Sequence, residues 1–240
     1  MRTSSFLLSG VAAAAAVATA LGLVVATPAY AATPALEGGG FVRASFAVDA
    51  DHCSATGTET TDEATVTVPT SGSRSFTGRT SGTVTAVDSV DASDTVTMTG
   101  GGVAKGSARG AGGAFASLSA TLSASATIST TLASSTCKPQ STTTVGTQVN
   151  ARVRKAGTIT VTITVREGGS VELFVAPQGS LQGADVSATL RPGTYTISAP
   201  VRPGVYVVAA ALQATASRAA PDETLKASTS ATVAAAYRAS

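Results

Sequence analysis

The 240-residue sequence has no tryptophan, one histidine, two cysteines and two methionines. These shortages exclude a His-rich metal site, an iron–sulfur centre, a haem held by two histidines, and any triad needing a second imidazole. Charge is scarce as well. Asp, Glu, Lys and Arg make up 12% of the chain, about half the share of an average soluble domain. Aromatic residues are 4%, and the three tyrosines beyond residue 31 (Tyr195, Tyr206 and Tyr237) leave little for a sugar-stacking platform. Ala, Ser, Thr and Gly fill the room, and none of them carries out acid–base or redox chemistry unaided.

What is present begins with an address. Met1-Arg2 is a short basic start, Phe6 to Ala26 is an apolar run, and Ala29-Tyr30-Ala31 behind Pro28 has the form of a small-residue cleavage site. Residues 1–31 therefore form an expected export signal. The first cysteine after it is Cys53, so no lipid-carrying cysteine follows the signal, and no later apolar run reaches membrane length. The mature chain is expected outside the cell, free or wall-associated, with no membrane anchor.

Beyond the signal, residues 32–145 hold 6 basic and 9 acidic side chains, and residues 146–240 hold 9 and 5. Neither half concentrates positive charge as a nucleic-acid surface requires, so nucleic acid is not expected as a partner. The remaining partner classes are cell wall, glycan or another secreted protein.

The dominant pattern has period two. From Ala114 to Leu132 small and apolar residues alternate with Ser and Thr, and Thr158 to Val165 alternates Thr with Ile and Val. Alternation of this kind is a half-buried strand, and β-branched side chains reinforce it. Strands are expected near 41–49, 53–60, 64–68, 82–88, 94–99, 114–122, 125–134, 147–154, 158–166, 170–176, 185–190, 194–199, 204–215 and 227–237. The long run at 114–132 exceeds ordinary strand length, so a bend is expected near Ser123–Ser125. Gly100–Gly113 is expected to be a mobile loop, and Lys138–Thr144 a linker. The fold class is all-β. The expected division is an N-terminal sandwich over 36–138 and a C-terminal sandwich over 145–240, Ig-like or jelly-roll-like, with one larger two-sheet domain as the competing arrangement.

Three groups could carry chemistry. Cys53 and Cys137 are the only cysteines of an exported chain, which makes a disulfide the expected state; it would close a loop of about 85 residues. His52, flanked by Asp49 and Asp51, is the one arrangement from which a hydrolase could be built, but no Gly-x-Ser-x-Gly elbow accompanies it. Asp88, Asp91 and Asp94 share a short loop and are the candidate calcium ligands, although the loop lacks the glycine and closing glutamate of an EF-hand. Asp49, Asp51, Asp62 and Glu63 form a second, sparser acidic set. The threonine faces invite an ice- or crystal-binding reading, which the absence of repeats weakens.

The segment from Ala156-Gly-Thr-Ile through Val171-Glu-Leu-Phe-Val-Ala-Pro-Gln-Gly179 to Leu190-Arg-Pro-Gly-Thr-Tyr195 and Gly204-Val-Tyr206 resembles the bacterial prepeptidase C-terminal β-sandwich. The resemblance covers about 60 residues (156–215) and implies a non-catalytic accessory sandwich of the kind appended to secreted enzymes. That family's middle-strand aspartates are replaced by Val171 and Glu172, so no calcium role carries over. The Ala-rich, Arg-over-Lys composition is similar to that of secreted actinobacterial proteins. Together these features lead to the expectation of a secreted, non-catalytic structural or binding module with no cofactor. A hydrolase at His52 and a calcium-dependent surface adhesin are the alternatives.

Overall fold

The computed structural model describes residues 37–49, 51–57, 59–131, 137–166, 168–178, 186–217 and 223–240. The expected export signal lies outside them. The described residues form thirteen strands: β1 (Glu37–Ala47), β2 (Cys53–Gly57), β3 (Thr60–Thr67), β4 (Gly72–Asp88), β5 (Thr95–Ala111), β6 (Ala114–Thr130), β7 (Gln140–Val153), β8 (Gly157–Val165), β9 (Ser170–Pro177), β10 (Val186–Leu190), β11 (Gly193–Val201), β12 (Gly204–Ser217) and β13 (Thr224–Ala239). They form two antiparallel sheets, a six-stranded one ordered β10-β9-β12-β7-β1-β3 and a seven-stranded one ordered β11-β8-β13-β6-β5-β4-β2. The all-β sandwich read from the alternation is thus present. No helix among the described residues is long and apolar enough to cross a membrane.

The two-half division does not describe how the sheets are built. β1 pairs with β7 from Gly38–Val149 to Ala47–Gln140, and β6 pairs with β13 from Ser129–Thr224 to Ser117–Ala236. Each sheet therefore draws strands from both sides of residues 138–145, and one continuous core runs from Val42 to Ala235. A boundary between domains is a place that few contacts cross, and here two full strand pairings cross it.

Three local expectations change for a related reason. β6 runs unbroken through Ser123–Ser125, because β5 and β13 are nearly as long and pair with it along its length. The glycine run is the second half of β5, with only Gly112 and Gly113 left as a two-residue hairpin whose φ values are +56° and +72°. Two positive φ angles are the geometry of a type I′ turn, which glycine adopts at no steric cost. The expected linker is mostly strand, since β7 starts at Gln140.

The glycines in β5 are explained by what lies above them. Gly100, Gly102, Ala104, Gly106 and Ala108 face inward, against Gly38, Gly40, Val42 and Ala44 of β1. A Cβ on Gly102 would sit 2.5 Å from both the Ser123 carbonyl oxygen and Val145 Cγ2. The two sheets approach too closely here for any larger side chain. The same approach lets hydroxyls bridge them: Ser141 Oγ donates to the Thr99 carbonyl at 2.9 Å, and Thr143 Oγ1 donates to the Ser125 carbonyl at 2.8 Å. Both residues are fully buried, so these bonds remove a desolvation cost of about 1–3 kcal/mol each that an unpaired hydroxyl would carry. Larger side chains fill the core to either side, among them Met98, Phe115, Leu118, Leu122, Ile159, Ile163 and Leu212.

The cysteines form the expected disulfide, Cys53–Cys137, with a Cα–Cα distance of 5.4 Å and a sequence separation of 84. It joins the first residue of β2, at the edge of the seven-stranded sheet, to the segment entering β7 in the six-stranded sheet. Beside it Lys138 has φ +39°, and its ammonium reaches Asp49 Oδ2 at 2.8 Å.

Two outcomes are expected. Replacing both Cys53 and Cys137 by Ala should lower unfolding free energy in urea by about 4–5 kcal/mol, the loop-closure value for this ring size. Gly102→Val should cost at least about 1–3 kcal/mol in the same assay through overpacking, whereas Gly112→Asn at the open turn should cost less than 1 kcal/mol.

Candidate functional site

The three arrangements expected from the sequence are placed as follows. His52 is exposed in the tight turn before β2, where its amide donates to the Asp49 carbonyl at 3.2 Å and its carbonyl accepts from the Ser89 amide at 2.8 Å. No described residue hydrogen-bonds its ring. Asp49 does not orient it. That carboxylate takes the Lys138 ammonium and, at 3.2 Å, the Asp51 amide, and the lysine hydrogen bond holds it below the usual carboxylate range.

Asp88, Asp91 and Asp94 close the β4–β5 connection from within. Asp88 Oδ1 accepts from the Val90 amide at 2.7 Å, and Asp91 Oδ1 accepts from the Ser93 amide and hydroxyl at 2.9 and 2.7 Å. The serine bonds lower the Asp91 pKa. Asp94 contributes its carbonyl, which accepts from the Asp88 amide at 3.1 Å. The three carboxylates do not converge on one point. Among the described residues the one group of three ligand-bearing side chains within 4.8 Å of one another is Cys53, Asp88 and Cys137, and its two sulfurs are bonded to each other. Asp62 and Glu63 lie on β3, away from Asp49, and Asp62 Oδ2 accepts from the Arg79 amide at 2.7 Å.

The threonines behave as one array. Thr160, Thr162 and Thr164 of β8 hydrogen-bond Ser198, Thr196 and Thr194 of β11 at 3.2, 3.4 and 3.1 Å. Registers continue the rows across the sheet, as in Thr194–Thr164–Thr232–Thr121–Lys105–Thr77. The outer face of the seven-stranded sheet is thus mostly hydroxyls, with alanines, a few cations and scattered residues such as Val87, Gly101, Val103 and Pro200.

Charge is divided between the sheets. The strands of the seven-stranded sheet carry Arg74, Arg79, Lys105, Arg109, Lys226 and Arg238 against one acid, Asp88, which is buried facing inward. The strands of the six-stranded sheet carry Arg43 and Arg152 against Glu37, Asp62, Glu63 and Glu172. On the basic face an open trough of about 1430 Å³ crosses β4, β5, β6 and β13. Ser123, Ser125, Ser228, Ser230, Gly101 and Val103 form its floor, with Arg79 on one flank and Arg166 on the other. Arg166 is set in line with the floor by its amide, which donates to the Ser230 carbonyl at 2.9 Å. Four strand spacings of roughly 4.8 Å put the two arginines about 19 Å apart. The trough brings no imidazole, thiol or carboxylate together, so what it offers chemically is hydrogen-bond donors and positive charge.

Sequence reasoning missed this face. Its cations come from separate segments, β4, β5, β13 and the residue after β8, and the sequence marks only Arg79, Lys105, Arg109, Lys226 and Arg238 as outward positions on alternating strands.

Tyr206 is buried, as its alternation implied, and its hydroxyl accepts from the Arg202 amide at 3.0 Å. Tyr195 and Tyr237 pack against the core, so no tyrosine is presented on the basic face.

No family model matches the chain, and no curated protein is similar to it.

One acid on the opposite face is out of balance. Glu172 is half-buried on β9 and its Oε2 meets no partner, so desolvation pushes its pKa up. A raised carboxyl pKa means the folded state holds the proton more tightly. Stability therefore falls as pH climbs through the ordinary glutamate range, about 4.3, and on to the folded-state value. Glu172→Gln should raise the melting temperature at pH 7 and leave it unchanged near pH 3, as read by calorimetry at both pH values.

Proposed function

We propose that the protein is an exported, non-catalytic binding module whose ligand surface is the outer face of its seven-stranded sheet. The observation that carries this reading is the trough with its surroundings, an open surface lined by hydroxyls and cations with no carboxylate on its strands except the inward Asp88. A face of this kind recognises by hydrogen bonds and charge and contains no base–nucleophile pair. The leader-like residues 1–31 and the disulfide support export. The likeness of residues 156–215 to an accessory sandwich of secreted enzymes supports a non-catalytic role. No cofactor is required, and the aspartates at 88, 91 and 94 act as turn acceptors. The partner classes this face suits are the cell wall, exposed glycans and secreted proteins.

The hydrolase and adhesin alternatives make different demands. A hydrolase would lose its activity on His52→Ala, and a calcium-dependent adhesin would lose retention in chelator.

The binding reading is tested by co-sedimentation of the mature chain with purified cell walls. Retention is expected in chelator as well as in calcium. Ser123→Tyr and Ser125→Tyr, which fill the trough floor, should reduce retention several-fold. Thr144→Tyr on the other sheet should not change it. Equal retention of all three variants would remove the face from consideration.

A further inference from the structure

Resting on that binding reading, we infer that the ligand of the seven-stranded face is an acidic polysaccharide, a chain of hydroxyl-bearing sugars with carboxylate or sulfate groups spaced along it. The cations have a definite layout. Arg79 of β4 is paired with Val103 of β5, which places it diagonal to Lys105, at about 7–8 Å. Arg109 follows four residues along β5, about 13 Å further on. Arg79, Lys105 and Arg109 are all exposed, and their side chains make no ion pair with any described residue. The Asp62 carboxylate, on β3 beside this ladder, is held by the Arg79 amide. Across the trough Arg166 supplies a fourth charge, and the rest of the described trough lining is Ser, Thr, Gly and Ala with Val103, Val165 and Pro192.

Three properties of this layout select the polymer. The strands of the face carry no outward acid, Asp88 being buried inward, so their exposed charges attract anions. Its positive charges are many ångströms apart, whereas duplex DNA presents one phosphate about every 1.7 Å and is bound by far denser basic surfaces. No aromatic side chain faces outward from this sheet, so there is no platform on which a nucleobase or a neutral sugar ring could stack. A chain that alternates charged groups with hydroxyls matches both parts of the surface. Arginine forks take the anions in bidentate fashion, and serine and threonine hydroxyls exchange hydrogen bonds with the sugar hydroxyls between them.

The test is binding of the mature protein to alginate and hyaluronate, with dextran and duplex DNA as comparators, over 20–300 mM salt by calorimetry or affinity electrophoresis. Binding to alginate or hyaluronate is expected, weakening with salt on a log–log slope of about −2 to −4, close to one unit per neutralised charge for three or four cations. The triple variant Arg79→Ala/Lys105→Ala/Arg109→Ala should bind at least about tenfold more weakly, a few-fold for each exposed ion contact, and with a flatter salt slope. Arg43→Ala on the other sheet should bind as the parent does, and an unchanged melting temperature of the triple variant shows that its fold is intact. Binding of dextran as tight as that of alginate, or tighter binding of DNA, overturns the inference. So does an unaltered salt slope in the triple variant. Failure with all four polymers while wall retention still depends on Ser123 and Ser125 overturns the polysaccharide and leaves the binding module standing. Loss of that dependence as well removes both.

Discussion

The closeness of the two sheets where β5 crosses β1 and β7 is the constraint on which the rest of the structure depends. Gly100, Gly102 and Gly106 leave no side chain to hold the layers apart, and Gly38 and Gly40 answer them from the other sheet. Ordinary sandwiches separate their sheets by about 10 Å of interdigitated side chains. Here backbone meets side chain almost directly, and Ser141 and Thr143 reach across to carbonyls of the opposite sheet. A thin centre buries little apolar area, so stability has to come from elsewhere. Strands of 17 residues in β4, β5 and β6 supply long hydrogen-bonded ladders, the larger side chains collect on the flanks, and the disulfide ties the edge strand β2 to the opposite sheet.

That arrangement also governs what the surface can do. Inner positions are committed to small and apolar residues, which leaves every other strand position to face solvent. On the seven-stranded sheet those positions are filled with Ser and Thr, and the charges among them have one sign. The result is a surface poor in reactive groups and rich in donors, in keeping with the shortage of His, Cys and aromatic residues. Four carboxylates of the candidate acidic groups are engaged within the fold. Asp49 holds Lys138, Asp88 and Asp91 hold turn amides, and Asp62 holds the amide of Arg79.

Much of this was legible along the chain. Alternation located the strands, because a strand with one buried face must repeat every second residue. Two cysteines in a chain with an export-type leader indicated their pairing. Where the reading went astray, a local rule met a tertiary demand. The glycines of β5 carry the composition of a loop, and only the proximity of Val42 and Val145 explains why they are strand. The 114–130 run exceeds usual strand length, and only the comparable length of β5 and β13 allows it to continue. Gln140–Thr144 has the polar character of a linker, yet it pairs β1 on one side and β12 on the other.

The sequence by itself determined the all-β class, the inside and outside of the strands that alternate and the disulfide, since each follows from neighbours in the chain or from side-chain chemistry alone. The tertiary structure decided which strands stand side by side, and with that the single sandwich and the sign of charge on each face. Lys105 and Arg109 are neighbours within β5, but Arg79 and Arg166 join them only through strand pairing, and no periodicity within one strand encodes a property that belongs to several.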